Sequence, residues 1–74
     1  MSSINASEIK KINQFLGAAK RELQSISDDL NSGSYNEYVL ARHFALAKEY
    51  REIAEDIIFN TGYPRKDIQF EKEN

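Results

Sequence analysis

The residues of this sequence whose types and spacing bear on chemistry are one histidine, His43, and four acids that follow it, Glu49, Glu52, Glu55 and Asp56. Carboxylates gathered on a helix can hold a divalent metal or move protons. A di-metal carboxylate centre in a helical bundle needs a glutamate followed three positions later by histidine, and no glutamate here has that neighbour. The four acids therefore read as a solvated helix face, with Lys48 and Glu52, and Arg51 and Glu55, as partners four positions apart. His43 lies among Val39, Phe44 and Leu46 and reads as a packed, hydrogen-bonded histidine. Were it held neutral between two chains, acid would charge it and weaken their association. The serines lack any visible base and orienting group, and no glycine-rich loop follows a strand. Without cysteine there is no thiolate ligand, and one histidine cannot build an all-histidine site. The chain is expected not to be an enzyme and to carry neither cofactor nor metal.

A second set of residues suits phosphate. Lys10, Asn13, Gln14, Gly17, Lys20, Arg21 and Gln24 share the outer face of one helical segment without an acid, and between Ile9 and Ser27 only Glu22 opposes Lys10, Lys11, Lys20 and Arg21. Bases grip phosphates and amides reach exposed base edges, so Lys10, Lys20 and Arg21 are the candidate nucleic-acid contacts. In architecture alone such a basic helix pair resembles the small plasmid Rop-type RNA-binding hairpin dimers, although no motif of that family matches residue by residue. The alternative for this face is plain solvation. The overall charge of -2 argues against a dedicated polyanion binder without removing a local basic face.

Glycine and proline mark out the elements that position these groups. Gly33 and Gly62 each follow a long periodic segment, and Pro64 comes just after the second, the usual punctuation of helix ends. The first segment carries Ile9, Ile12, Leu16, Ala19, Leu23, Ile26 and Leu30 at alternating steps of three and four, an unbroken heptad seam. Asn5 with Glu8 forms a capping box, with Ser7 as a rival cap, and Ser34 with Glu37 predicts the start of the second helix. That helix shows two adjacent stripes: Val39, His43, Leu46, Tyr50, Ile53 and Ile57, then Leu40, Phe44, Ala47, Arg51, Ala54 and Ile58. Gly17, Ala18 and Ala19 read as a notch for an approaching helix or ring, with Tyr50 near that level. The expected fold is all-α: an antiparallel two-helix hairpin, about 7–31 and 35–61, in a hairpin domain 1–62, with an extended C-terminal arm or tail over 63–74.

With 74 residues, 41% hydrophobic and 30% charged, the chain has room for one small domain, which excludes collagen-like, membrane-spanning and wholly disordered chains. The first residues show neither a basic segment nor a long apolar stretch, and no apolar run exceeds four residues, so a cytoplasmic chain with no membrane partner is expected. Two helices cover only part of their own apolar surface. The simplest additional layer is a second copy, giving a homodimer that closes as a four-helix bundle around Val39, Leu40, His43, Phe44, Leu46, Tyr50, Ile53 and Ile57. Tyr35, Tyr38, Phe59 and Tyr63 then remain for a different protein, with Ala41 and Ala45 beside them. The expectation is a small protein–protein interaction module of the adaptor, inhibitor or immunity type, of bacterial or phage character, with RNA or other nucleic-acid binding as its rival.

Overall fold

The computed structural model describes residues 4–59, which form two α-helices, α1 (Ala6–Ser32) and α2 (Glu37–Phe59), packed against each other. Their contacts fix the antiparallel sense, because Phe15 meets Tyr50 and Glu22 meets His43. Both ends of α1 and the start of α2 fall within two residues of the expected 7–31 and 35; the expected end of α2 at 61, with Gly62, Pro64, Tyr63 and the tail over 63–74, lies outside the described residues.

The start of α1 follows from its sequence. Asn5 takes an extended backbone, its Oδ1 accepts from the Glu8 N–H at 2.8 Å, and its own N–H donates to Glu8 Oε1 at 3.1 Å, so two orphan donors of the first turn are satisfied reciprocally. The rival cap, Ser7, lies inside the helix. At the other end Gly33 sits at φ 77°, a left-handed conformation that glycine adopts without steric cost, and its N–H donates to the Leu30 carbonyl at 3.2 Å.

The start of α2 differs from the expectation. Ser34 does not cap it. Asn36 does, its Oδ1 accepting from the N–H groups of Tyr38 and Val39 at 2.8 and 3.2 Å. Ser34 instead closes the turn, its N–H donating to Ser32 Oγ at 3.2 Å. Serine and asparagine are comparable caps, and the box pattern at Ser34 and Glu37 competes with an asparagine two residues nearer the apolar run.

The core between the helices is thin. Among the described residues the buried hydrophobics are Ile12, Ala19 and Ile26 on α1 and Ala47 and Ala54 on α2, so most of the buried row is alanine. Alanines allow close approach along a narrow line. Beside that line Phe15 and Tyr50 stack obliquely, with centroids 6.2 Å apart and planes at 37°. Within the expected notch of Gly17, Ala18 and Ala19, Gly17 does not line the contact: a methyl group added there would find only the Arg21 guanidinium, at 3.6 Å. Ala19, two positions on, is the small residue at the contact.

Candidate interaction surface

The narrow contact decides which apolar residues stay uncovered. Of the heptad seam of α1, α2 lies over only half. Ile12, Ala19 and Ile26 are buried, and the half-buried row beside them is Glu8, Phe15, Glu22 and Asp29. On the opposite flank Ile9, Leu16, Leu23 and Leu30 remain 45–49% exposed, one every seventh residue. The cause lies on α2, whose His43 and Tyr50 reach Glu22 and Phe15 and draw the contact toward that side. A seam read from spacing alone gives no sign of this rotation, because both rows satisfy the same three-four alternation.

The uncovered row continues across to α2 as a groove of about 570 Å³. Its floor holds Ala19 and Ala47, and its walls are Leu16 and Leu23 facing Phe44. Phe44 is 56% exposed. Lys20, Lys48 and Arg51 rim the groove. Two of these cations have acids on their own helix: Lys48 Nζ lies 3.4 Å from Glu52 and Arg51 Nη1 lies 2.8 Å from Glu55, as their spacing predicts.

The residues expected at a dimer core divide into groups. His43 and Tyr50 are engaged with α1 inside the hairpin. Leu40, Leu46, Ile53 and Ile57 are half-buried, and Val39 and Phe44 are exposed. His43 Nδ1 lies 2.6 Å from Glu22 Oε1, with both side chains about a quarter exposed.

The four acids do not form one solvated face. Glu49 and Glu55 are exposed and Glu52 is half-buried, but Asp56 is fully buried. Among the described residues no three His, Asp or Glu side chains come together as a metal-binding group, and no helix is long and apolar enough to cross a membrane.

Lys10 and Arg21 are exposed, with Asn13, Gln14 and Gln24 beside them, on the side of α1 away from α2. Lys20 departs from this set and turns to the groove. Tyr35 and Tyr38 are exposed at the turn, Tyr38 almost completely so. Phe59 is exposed too, but it lies 21 residues along α2 from Tyr38, about 32 Å at 1.5 Å per residue, so the two do not share one contact patch. Tyr63, expected to join them, lies outside the described residues. No family model matches the chain, and neither a curated protein nor a solved structure matches it.

Proposed function

We propose that the chain is a small protein–protein interaction module of cytoplasmic, adaptor-like type that acts as a homodimer, two hairpins closing into a four-helix bundle. The observation that carries this reading is the row Ile9, Leu16, Leu23 and Leu30, half-exposed along its whole length beside the open groove at Phe44. A single exposed leucine needs no explanation, but an aligned apolar row marks a surface that another chain covers. Covering the remaining half of each side chain is worth about 1 kcal/mol, on the order of 8 kcal/mol for the two rows of a dimer, against an association cost of roughly 4–15 kcal/mol. The expected dimer is therefore moderate in strength and gains from Phe44 in addition. Tyr35 and Tyr38, with exposed Ala41 and Ala45, are left for a second protein. The role proposed is binding rather than catalysis, with His43 engaged by Glu22 inside the hairpin.

Sedimentation equilibrium over a range of concentrations tests the reading. The wild-type chain should show twice 8.5 kDa. Leu16→Asp with Leu23→Asp should reduce it to a single chain that keeps its helical circular dichroism. A wild-type chain of single mass at every concentration overturns the homodimer.

A second reading, nucleic-acid binding, is favoured by the exposed row Lys10, Asn13, Gln14, Arg21 and Gln24, which two copies would present twice. Its affinity for a structured RNA would fall steeply with salt and be lost on charge reversal at Lys10 and Arg21. A salt-independent or undetectable affinity removes it.

A further inference from the structure

We infer that the second copy docks antiparallel, with α1 on the partner's α1 and α2 on the partner's α2, about a two-fold axis that crosses the hairpin near Ala19 and Phe44. This rests on the homodimer proposed above and goes beyond it by fixing which surfaces meet. Two rows of the same face support it independently.

On α1, the half-exposed row is symmetric about the peptide between Ala19 and Lys20. Reversing the helix about that point sets Ile9 opposite the partner's Leu30 and Leu16 opposite the partner's Leu23, so every uncovered aliphatic meets another. On α2, the row at the same seven-residue spacing is Glu37, Phe44 and Arg51, all exposed. It is symmetric about Phe44 and carries opposite charges at its two ends. Reversal sets Glu37 opposite the partner's Arg51, Arg51 opposite the partner's Glu37, and Phe44 against its twin. Arg51 donates to Glu55 through Nη1 and has further donors for this second carboxylate.

The two centres of symmetry are level with each other. Phe15 stands opposite Tyr50 and Glu22 opposite His43, which places Phe44 beside position 21 of α1. That is within two residues of the centre of the aliphatic row, about 2 Å along the helix axis, so one axis serves both rows. The groove lies at this crossing, its floor of Ala19 and Ala47 leaving room for the paired Phe44 rings. Lys20 of each copy sits on the outer flank beside the axis, where a long stem carries its ammonium to water. The other isologous docking, α1 over the partner's α2, would set Leu16 and Leu23 against the row of Glu37, Lys48 and Arg51 and leave those charges facing an apolar ridge.

The natural chain has no cysteine, so disulfide trapping reads the register directly. In the antiparallel dimer the two copies of position 9 are about 32 Å apart, far beyond the roughly 7 Å Cα separation a disulfide spans. Ile9→Cys alone and Leu30→Cys alone should therefore not cross-link under mild oxidation, whereas their equimolar mixture should give a covalent dimer containing one of each. Charge exchange gives a second readout. Glu37→Arg and Arg51→Glu should each weaken the dimer by about fivefold or more, and mixing the two should restore wild-type affinity. Self-linking of Ile9→Cys, or mixed chains no tighter than either alone, overturns the antiparallel docking and leaves the homodimer standing. A wild-type chain that stays monomeric overturns both.

Discussion

His43 and Glu22 join the two helices by a 2.6 Å contact between Nδ1 and Oε1, at the point where each helix presents a polar residue to the other. Both side chains are about a quarter exposed, so water screens the contact only in part. A hydrogen bond to a charged group contributes roughly 1.5–3 kcal/mol when well shielded, and partial exposure reduces that to about 1–2 kcal/mol here. His43→Ala and Glu22→Ala should each lower hairpin stability by about that amount in urea unfolding. The double variant should lose about 1 kcal/mol less than the sum, because the pair is one interaction. Full additivity would show that the contact contributes nothing.

Asn36 and Ser34 make opposite predictions about the beginning of α2. Asn36 Oδ1 takes two backbone donors, and its loss should cost about 1 kcal/mol, the usual value of an N-cap. Ser34 contributes only its backbone to the turn, through the N–H donated to Ser32 Oγ and the carbonyl that accepts from it. Ser34→Ala should therefore leave the melting temperature within a degree or two, whereas Asn36→Ala should lower it by several degrees. Equal shifts for the two would return the cap to Ser34.

Much of the hairpin is legible in the residues themselves. The capping box at Asn5 and Glu8, the stop at Gly33 and the ion pairs four positions apart on α2 are local events, set by chemistry within one turn of helix. What spacing does not reveal is the rotation of α1. Ile9 and Ile12 stand in the same seam, and their difference arises only when His43 and Tyr50 bring α2 down on Glu22 and Phe15. The same blindness applies to Asp56, which sequence groups with its exposed acidic neighbours and the fold buries completely. Lys20 likewise reads as one of a basic row, and only the tertiary arrangement turns it toward Phe44.

The two described glycines should respond oppositely to alanine. Gly17 lies within α1 with open space around it apart from the Arg21 guanidinium at 3.6 Å, so Gly17→Ala should stabilise the chain by about 0.5–1 kcal/mol through helix propensity. Gly33 also has open space, but its φ of 77° strains any residue with a Cβ. Gly33→Ala should cost about 1–2 kcal/mol. Thermal melts of the two variants separate these effects. A destabilising Gly17→Ala would mean that a helix or ring approaches that position after all.

Leu23 and Ile26 lie three positions apart on α1 and should fail in different ways when truncated. Ile26 is buried against α2, so Ile26→Ala removes core contacts of the hairpin itself and should cost about 2–4 kcal/mol at any protein concentration. Leu23 is half-exposed in the single hairpin, where Leu23→Ala should cost about 1 kcal/mol or less. In the homodimer it meets Leu16 of the partner, and both copies lose it at once, so its larger effect falls on association. Stability of the Leu23 variant should therefore lie within about 1 kcal/mol of wild type at low concentration, where chains are separate, and fall further behind it as concentration rises and only the wild type gains from assembly. A Leu23→Ala deficit that does not change with concentration would place that side chain within the hairpin's own stability and remove the ridge from the interface.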